Sequence, residues 1–427
     1  MSRILLVEPD FPIPPKSKNH KNFLPIGLLK IGTYLKQQGV KIKIVRGIPK
    51  TIEEFVNVKD FNPSEIWVTS LFTYWAIYVK EAVRYYKQVF PHAKVKVGGI
   101  YASLFSPEEV KEFTGCDEVH QGVIPEVEAY TQEHILDYSL IQTPNEPPID
   151  FQILHTTRGC PRRCEFCGTW KIEPRFTFKK SVTNEIHKRK IVIYDNNLLL
   201  NPYIEEILGE LITLKKAKKI SWIESQSGFD GRVLLQKPHL AKMIKSAGFR
   251  YPRIAWDWTY DQHQMIEKQI NILLNAGYHR KEIFIFMIYN WDLTFEEMEK
   301  KRIKCWQWGV QIADCRYRPL TQLYDYYNPM LLGQTSDDYY IHEEAGWTDE
   351  LVKQFRKNVR RQNICIRQNL PFYARDLEQK KVDKDIVKQI RKLGSIKEKI
   401  DYLSFRKINY WIPGKITYPE SINTCKK

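Results

Sequence analysis

Residues 158–170 read Arg158-Gly-Cys-Pro-Arg-Arg-Cys-Glu-Phe-Cys-Gly-Thr-Trp170 and contain three cysteines in the spacing C-x-x-x-C-x-x-C. This array follows an extended apolar run, residues 151–157, and Gly159 lies directly before the first thiol. A strand that leads into a glycine-started loop presents the thiolates of Cys160, Cys164 and Cys167 to one point in space. Thiolates are soft ligands that suit iron–sulfur clusters or zinc. The stretch therefore predicts a metal-binding loop at the end of a strand.

The number of protein ligands distinguishes these two kinds of metal site. A closed structural zinc site uses four protein ligands, and no further Cys or His follows closely behind Cys167. Three ligands fit a 4Fe-4S cluster that leaves one iron open. A zinc knuckle or an incidental cysteine cluster is the alternative interpretation.

The spacing, with the aromatic Phe166 directly before the third cysteine, resembles the cluster loop of the radical S-adenosylmethionine (SAM) superfamily. The resemblance implies that SAM chelates the open iron through its amino and carboxylate groups. It also implies that one electron from the cluster cleaves SAM to a 5′-deoxyadenosyl radical. A one-electron reductant of the flavodoxin or ferredoxin type is then an expected partner.

The composition is that of a folded protein rather than a membrane protein or a disulfide-rich one. The chain has 427 residues, a length that is enough for two or three domains. Of these residues, 43% are hydrophobic. No apolar run reaches membrane-spanning length, and no signal peptide is recognised. Eight cysteines, three of them clustered, indicate a reducing compartment. We therefore expect a cytoplasmic protein, and the net charge of +16 indicates either an acidic partner such as nucleic acid or a generally basic surface.

The first part of the chain alternates apolar runs with helical patterns. Strands are predicted at residues 3–10, 41–45, 65–71, 93–99 and 117–120. Helical periodicity covers residues 24–36 and 76–90. This alternation predicts a doubly wound parallel sheet over residues 1–137, which would bind ligands at the carboxyl ends of its strands.

The order of these signals resembles the cobalamin-binding domain that precedes many radical SAM barrels. The resemblance is carried by residues 25–29, by Ser70 and by residues 97–109, which contain a Gly-Gly turn. It implies the following cobalamin contacts: Ser70, Thr73, Tyr74, Trp75, Gly98, Gly99 and Tyr101. The chain has no Asp-x-His-x-x-Gly segment to supply a lower axial histidine to cobalt. A degenerate domain retained for packing or substrate docking is the alternative.

A polar linker over residues 138–150 separates this domain from a second α/β pattern. The linker carries Pro144, Pro147 and Pro148. Six further strands are predicted, at residues 151–157, 190–194, 219–224, 253–256, 282–289 and 310–315. These units match the partial (β/α)6 barrel of the radical SAM superfamily over residues 151–330, and a small helical extension is predicted over residues 331–427.

Polar side chains follow nearly every barrel strand, and such positions form the active site in barrels of this kind. The resemblance implies that the end of the second strand lies near the SAM amino group. It also implies that the ends of the fourth and fifth strands lie near the ribose and adenine. The cofactor contacts expected on this basis are Phe166, Asp195, Asn196, Asn197, Gln226, Asp257, Tyr289 and Asn290. Helix capping is the alternative for residues 195–197.

Four further side chains are candidates for catalysis. Glu224 lies in an apolar strand and needs a partner if it is buried, for which Arg232 is the expected residue. Cys315 is predicted to donate a hydrogen atom or accept a covalent bond, although a lone cysteine is more often a small buried hydrophobe. Arg316 and Arg318 suit a carboxylate or phosphate substrate, because guanidinium groups pair with such anions in a bidentate manner.

Together the two resemblances imply a cobalamin-dependent radical SAM enzyme, whose commonest chemistry is methyl transfer to an unactivated carbon or phosphorus centre. A cobalamin-free radical SAM enzyme that performs oxidation, rearrangement or crosslinking is the second interpretation. A nucleic-acid-binding protein with a structural cluster is the third, because basic grooves with stacking aromatic side chains suit single strands.

Overall fold

The computed structural model describes residues 2–14, 23–141, 148–375 and 384–420. Two α/β units follow one another in these ranges, and a smaller C-terminal part packs against the second. Two prolines of the predicted linker, Pro144 and Pro147, lie outside the described residues. Within the described ranges, no helix combines the length and the apolar character needed to cross a membrane.

The N-terminal unit is a five-stranded sheet with the order β2-β1-β3-β4-β5. Its strands are β1 (Arg3–Glu8), β2 (Lys41–Arg46), β3 (Glu65–Ser70), β4 (Lys94–Gly99) and β5 (Glu118–Val119). Its helices are α1 (Ile26–Gln37), α2 (Ile52–Phe61), α3 (Ala76–Val89), α4 (Ile100–Leu104), α5 (Pro107–Thr114) and α6 (Pro125–Glu133). Every strand pair in it is parallel, so the predicted doubly wound parallel sheet is confirmed.

Alternate side chains of β1 face two different helical layers. Leu5 and Val7 join the core formed with α3 and α5, whereas Ile4 and Leu6 pack with α1 on the opposite face. A strand that is buried on both faces is apolar along its whole length, which explains the uninterrupted apolar run of β1.

The second unit is a curved parallel arrangement of six strands. Its strands are β6 (Gln152–Leu154), β9 (Lys190–Ile193), β10 (Trp222–Ser225), β11 (Arg253–Ala255), β12 (Phe284–Tyr289) and β13 (Gln311–Arg316). They form the sheets β6-β9-β10 and β11-β12-β13. Bridges between Ile223 and Phe249 and between Phe229 and Ile254 join the two sheets. The predicted (β/α)6 partial barrel is therefore confirmed as an arrangement of strands.

Short elements and helices connect these strands. A small antiparallel pair, β7 (Thr157–Arg158) and β8 (Thr177–Phe178), follows β6. The helices are α7 (Thr169–Ile172), α8 (Ile204–Lys216), α9 (Gly231–Gln236), α10 (His239–Ala247), α11 (His263–Asn275) and α12 (Phe295–Trp308). Apart from α7, these helices cover the outside of the barrel and supply most of its hydrophobic core.

The alternation of side chains along the barrel strands separates an outer face from an inner one. Ile193 and Ile285 belong to the core shared with the surrounding helices and therefore mark the outer face. The strand register then assigns Glu224 and Cys315 to the inner face. Ala255 and Cys315 are exposed, so part of the inside of the barrel is open to solvent.

The C-terminal part adds one long helix and several short elements. Helix α13 (Asp349–Gln368) begins at the predicted cap, Thr348, whose hydroxyl accepts from the Leu351 amide. It is followed by β14 (Tyr373–Ala374), by helices Lys384–Lys392 and Ile396–Phe405, and by β15 (Tyr410–Trp411). Strands β14 and β15 pair antiparallel, a ribbon that the sequence patterns did not predict.

A fully buried arginine fastens the C-terminal segment to the barrel. Arg302 on α12 forms two hydrogen bonds with Glu299, at 2.6 and 2.7 Å, and one with Gln362 of α13 at 2.7 Å. It also donates to the carbonyl oxygens of Pro413 at 2.7 Å and Lys415 at 2.8 Å. All five N–H groups of the guanidinium are thereby satisfied, as a buried charge requires.

Candidate functional site

The predicted metal ligands lie on one loop at the carboxyl end of the barrel. The loop leaves β7 at Arg158 and turns at Gly159, where φ is 74°. A Cβ at Gly159 would lie 2.9 Å from the carbonyl oxygen of Glu173, so this turn requires glycine. Cys160, Cys164 and Cys167 are free and partly exposed. The loop therefore presents three uncommitted thiols beside the open interior of the barrel.

The thiols are close enough to affect one another's ionisation. Burial raises the pKa of Cys164, and Cys167, Asp257 and Cys160 raise it further, whereas Arg232 lowers it. Among the described residues, no three His, Cys, Asp or Glu side chains surround a single metal ion. The described residues therefore do not show the predicted convergence of the three cysteine thiols on one point.

Asn197 connects the end of β9 to the cysteine loop. Its Nδ2 lies 3.9 Å from the sulfur of Cys160 and donates to Asp230 at 3.1 Å. Asp230 also accepts from Arg162 at 2.8 Å and from Arg232 at 3.1 Å. The buried Oδ1 of Asn197 has no hydrogen-bond partner among the described residues. A buried acceptor without a partner is costly unless a bound molecule or water satisfies it.

The two residues before Asn197 are bound to the protein itself. Asp195 is fully buried and accepts from the amide of Thr156 at 2.6 Å and from the hydroxyl of the same residue. Burial raises the pKa of Asp195 to about 6, and the bonds from Thr156 oppose this rise. Asn196 donates to Glu173 at 3.0 Å. Both side chains hold the end of β9 against neighbouring segments.

Glu224 is buried on the inner face of the barrel, and its partner is not the predicted one. Arg253 donates to Glu224 at 2.5 Å and to the carbonyl of Ser225 at 2.7 Å. Arg232 instead pairs with Asp230, so the predicted pair of Glu224 with Arg232 is wrong. Strand β11 lies next to β10 and brings Arg253 beside Glu224, whereas Arg232 belongs to the following helix α9, whose cap is Asp230.

Gln226 and Asp257 follow β10 and β11 at the open end of the barrel. The Nε2 of Gln226 is buried without a hydrogen-bond partner in the described part of the chain. Burial raises the pKa of Asp257 to about 6, although Lys301 and Arg232 lower it. Lys301 donates to the carbonyls of Trp256 and Trp258, each at 2.7 Å. It thereby fixes the backbone on both sides of Asp257.

Cys315 reaches the barrel interior from β13 and keeps its proton. Its residue is exposed to the solvent inside the barrel. The barrel walls around it, although they leave the side chain accessible to solvent, disfavour the thiolate and, followed by the charges of Asp314 and Asp257, raise the pKa of Cys315 to about 12. At neutral pH the side chain is therefore a thiol rather than a thiolate.

An aromatic wall borders the cysteine loop. The ring of Phe166 lies 5.3 Å from that of Trp291 and 6.3 Å from that of Trp258, and the two tryptophan rings are 5.8 Å apart. Trp258 is 44% exposed, so one ring of the wall remains accessible. Phe166 was predicted, whereas both tryptophans directly follow predicted site residues, Asp257 and Asn290.

Tyr289 and Asn290 do not belong to this wall. The ring of Tyr289 lies on the outer face, 5.0 Å from Phe355 of α13. Asn290 is fully buried, donates to the carbonyl of Tyr340 at 2.8 Å and accepts from the amide of His342 at 2.9 Å. Its side chain therefore holds residues 340–342 against the barrel.

The two arginines after β13 share one carboxylate. Asp325 accepts from Arg316 at 2.7 and 2.6 Å and from Arg318 at 2.5 Å. Burial opposes its ionisation, but the two guanidinium groups hold the pKa of Asp325 below its usual range. Arg316 pairs in register with Tyr289 and therefore points away from the barrel interior. Asp325 therefore balances one of the two positive charges of the predicted anion-binding pair, and the buried Nε and Nη1 of Arg316 have no hydrogen-bond partner among the described residues.

The carboxyl end of the N-terminal sheet is closed by its own packing. Ser70 donates to the carbonyl of Gly98 at 2.7 Å and accepts from the amide of Ala102 at 3.3 Å. A Cβ at Gly99 would lie 2.9 Å from the nitrogen of Ser70 and overlap its carbonyl oxygen. Thr73 and Tyr101 are buried, and the ring of Tyr101 belongs to the core. Four predicted cobalamin contacts are therefore used by the domain itself.

Other groups at this edge remain more open. Tyr74 and Trp75 are only partly buried, and Trp75 stacks on Phe11 at 5.2 Å. A Cβ at Gly98 would meet nothing closer than the carbonyl oxygen of His120, at 3.7 Å. The buried Nε2 of His120 has no hydrogen-bond partner in the described ranges.

The carboxyl edges of the two units face each other. Leu104, at the end of α4, lies within 3.5 Å of the position that a Cβ at Gly168 would take, directly after Cys167. The guanidinium of Arg318 lies 4.3 Å from the ring centre of Tyr74. Any molecule held by the cysteine loop therefore lies close to the N-terminal sheet.

Several residues at this site were missed by sequence reasoning. Glu173, Arg253, Trp258, Trp291 and His120 were not singled out, although each lies within a few residues of a predicted strand end or of the cysteine array. The position at the end of a predicted strand was a usable signal for His120, and the positions just after strand ends were one for Trp258 and Trp291. Glu173 and Arg253 depend on pairing with distant segments, and no local pattern marks them.

A comparison with solved structures found two structures of one enzyme that resemble this chain over most of its length. The apo, selenomethionine-labelled cobalamin-dependent S-adenosylmethionine radical enzyme OxsB is 16% identical, with 84% of this chain and 56% of that chain covered and a TM-score of 0.46. OxsB with aqua-cobalamin bound is 16% identical, with 72% and 52% covered and a TM-score of 0.47. The chain spans about half the length of these OxsB chains.

A cobalamin-binding protein from Desulfitobacterium hafniense DCB-2 is similar over a shorter stretch. It is 16% identical, with 31% of this chain and 58% of that chain covered and a TM-score of 0.23. No protein-family model and no curated protein matches the chain.

Proposed function

We propose that this chain is a radical SAM enzyme that holds a 4Fe-4S cluster on Cys160, Cys164 and Cys167. The observation that carries the proposal is the position of the three free thiols, on one loop at the carboxyl end of a partial barrel. Three thiolates leave one iron for a small-molecule ligand. When bound, the cluster supplies the electron that cleaves SAM to a 5′-deoxyadenosyl radical, and an external flavodoxin- or ferredoxin-type protein supplies it to the cluster.

The groups around the loop fit this ligand chemistry. The Oδ1 of Asn197 is a buried acceptor and the Nε2 of Gln226 is a buried donor, and neither has a partner among the described residues. SAM carries an amino group and a carboxylate, which need an acceptor and a donor respectively. We assign Asn197 and Gln226 to binding SAM or substrate, and the wall of Phe166, Trp258 and Trp291 to excluding water.

Two side chains at the open end hold protons that a radical reaction can use. The pKa of Asp257 is raised to about 6 by burial, so this carboxyl group can bind and release a proton near neutral pH. Cys315 carries its proton at neutral pH, as a cysteine of ordinary pKa does, and burial raises its pKa further, to about 12. We therefore assign Cys315 to hydrogen-atom donation rather than to nucleophilic attack. Donation to a substrate radical would break the S–H bond, form a C–H bond and leave a thiyl radical, which one electron from the external reductant and one proton from solvent would return to the thiol.

A cobalamin-dependent methyltransferase is the second candidate. It is favoured by Gly98 and His120, which are neighbours on the edge that faces the cysteine loop. The buried Nε2 of His120 has no hydrogen-bond partner among the described residues, and a Cβ at Gly98 would meet no atom closer than 3.7 Å. It is opposed by the packing of Ser70, Thr73, Gly99 and Tyr101, which leaves those residues unavailable to a corrin ring. When bound, cobalamin would carry the transferred methyl group.

The direct test is production of 5′-deoxyadenosine by protein purified without oxygen, reconstituted with iron and sulfide, and reduced in the presence of SAM. We expect product from the wild type and none from the triple variant Cys160→Ala, Cys164→Ala, Cys167→Ala, which should also lose its iron. Cys315→Ala, which removes a thiol outside the loop, is the control for iron content and should retain as much iron as the wild type. Zinc without iron in the reconstituted wild type would overturn the proposal.

The absorbance spectrum after incubation with cobalamin separates the two candidates. Corrinoid bands that remain after desalting would support methyl transfer, and we expect His120→Phe to alter them. Iron–sulfur absorption without corrinoid bands would leave a cobalamin-free radical enzyme that performs oxidation, rearrangement or crosslinking.

A further inference from the structure

We propose that Glu173 is the residue that positions the cysteine loop for cluster binding, an inference that rests on the proposed function. Its carboxylate accepts from the backbone amide of Gly159 at 2.8 Å and from the Arg158 guanidinium at 2.5 Å. It also accepts from Asn196 at 3.0 Å. Gly159 directly precedes Cys160, and Asn196 directly precedes Asn197. One side chain therefore joins both segments that meet at the first thiol.

These contacts close the loop at its base. Gly159 and Glu173 are separated by 14 positions in the sequence, and all three cysteines lie between them. The backbone of Glu173 is fixed independently, because its amide donates to the carbonyl of Thr169 at 2.7 Å. The antiparallel pairing of β7 with β8 joins the residues that flank this loop on both sides, Thr157 with Phe178 and Arg158 with Thr177. Closure before metal binding reduces the conformational entropy that the loop loses when the cluster forms.

The same carboxylate balances a charge at the junction of the two units. Arg158 lies between Glu173 and Glu128 of α6, whose carboxylate is 3.7 Å from the guanidinium. Glu128 in turn pairs with Lys30 of α1 at 2.8 Å. The side chains of Glu173 and Arg158 are 14% and 23% exposed, so water screens their charges only in part. Neutralising Glu173 would leave Arg158 with its more distant partner.

A positioning role is expected to alter properties of the cluster itself. Groups that orient metal ligands typically contribute about 10- to 100-fold to metal affinity. Loss of a partly buried negative charge beside the loop also favours the reduced cluster, because reduction adds one negative charge. Glu173→Ala removes all three hydrogen bonds, whereas Glu173→Gln removes the charge and keeps an acceptor for Gly159.

The test compares both variants with Glu165→Gln, which removes one negative charge from an exposed position of the same loop. Iron retention under a chelator and the midpoint potential of the cluster are measured after anaerobic reconstitution. We expect Glu173→Ala to lose iron roughly 10-fold faster than the wild type. Glu173→Gln should show a more positive potential than the wild type. Glu165→Gln should remain within about twofold of the wild type in iron retention, with little change in potential.

The outcomes separate this inference from the proposed function. A wild type that binds no cluster would refute the proposed function. A wild type that holds a cluster, together with Glu173 variants that match it in retention and potential, would overturn the positioning role alone. A melting curve establishes that each variant is folded. If Glu173→Ala does not fold, the potential of Glu173→Gln decides the question.

Discussion

The carboxyl edge of the N-terminal sheet and that of the barrel have the same type of parallel architecture but differ in how their polar groups are satisfied. At the first edge, Ser70 bonds to both strand β4 and helix α4, and Gly99 packs against its backbone. The Nε2 of His120 at that edge has no partner among the described residues, and at the second edge Asn197 and Gln226 each bury such an atom beside the cysteine loop. Buried polar groups without partners are costly.

This difference shows that fold class alone does not identify a ligand site. A parallel sheet supplies a crevice at its carboxyl edge in both units. Only the barrel edge combines free thiols, orphaned polar atoms and an exposed aromatic ring in the described residues. At the N-terminal edge, the candidate contacts for a ligand are mainly the backbone at Gly98 and the side chain of His120.

The largest effect is expected from adding one methyl group at the closed edge. Gly99 has φ 95° and ψ −162°, a conformation that is almost restricted to glycine. Gly99→Ala should lower the free energy of unfolding by about 3 kcal/mol or more, through strain and overlap with Ser70. Gly98→Ala should change it by less than about 1 kcal/mol. Urea denaturation measures both, and equal losses would contradict the closed packing at Gly99.

The next effect concerns the carboxyl group that is buried at the barrel edge. The folded-state pKa of Asp195 is raised to about 6, so the folded state binds the proton more tightly than the unfolded state. This contribution to stability is present at about pH 4 and is lost as the pH rises through about 6, by roughly 3 kcal/mol. Asp195→Asn should remove that pH dependence.

Comparing the unfolding free energies of wild type and Asp195→Asn at pH 4 and pH 7 isolates this contribution. As the pH rises from 4 to 7, the free energy of unfolding of the wild type should fall relative to that of Asp195→Asn. A difference that is independent of pH would mean that Thr156 stabilises the ionised carboxylate fully.

Truncating one polar side chain at each edge sharpens the comparison. Ser70→Ala should cost about 1–2 kcal/mol of stability, because the amide of Ala102 loses its acceptor. Gln226→Ala should be close to neutral, because the unpartnered Nε2 disappears with the side chain. The same variant should weaken binding of SAM in the reconstituted protein, which isothermal titration would detect. A stability loss at Gln226 equal to that at Ser70 would refute the contrast between the edges.

The smallest effect is expected where the two edges meet. Arg318 lies 4.3 Å from the centre of the Tyr74 ring, a cation–π contact that typically contributes about 0.5–1 kcal/mol. A double-mutant cycle with Tyr74→Leu and Arg318→Met measures the coupling directly. Zero coupling would show that the contact does not stabilise the junction.

The strands were predictable because each is a short apolar run that ends in polar or glycine residues. Strand β12 was expected over residues 282–289 and spans Phe284–Tyr289, and β4 was expected over residues 93–99 and spans Lys94–Gly99. Local composition suffices for this purpose, since a strand buried on both faces must be apolar. The cysteine array could be recognised in the same local way, because its three cysteines lie within eight positions.

The pairing of polar side chains could not be predicted in the same way. Arg253 reaches Glu224 from the neighbouring strand, and Asp325 reaches Arg316 from a loop. Both pairs depend on register and on loop paths that no short pattern specifies. One signal was nevertheless overlooked, because Cys315 and Arg316 are adjacent in a strand and only one of them can point inward.

The buried guanidinium of Arg302 has a consequence for the order in which the chain can be completed. Its acceptors at Pro413 and Lys415 lie 111 and 113 residues downstream. During synthesis from the N-terminus, α12 emerges long before these carbonyl groups exist, so the two N–H groups that later donate to them must bond to water, although Glu299 of the same helix is already available to the guanidinium. The barrel therefore reaches its final packing only after residues 413–415 have left the ribosome.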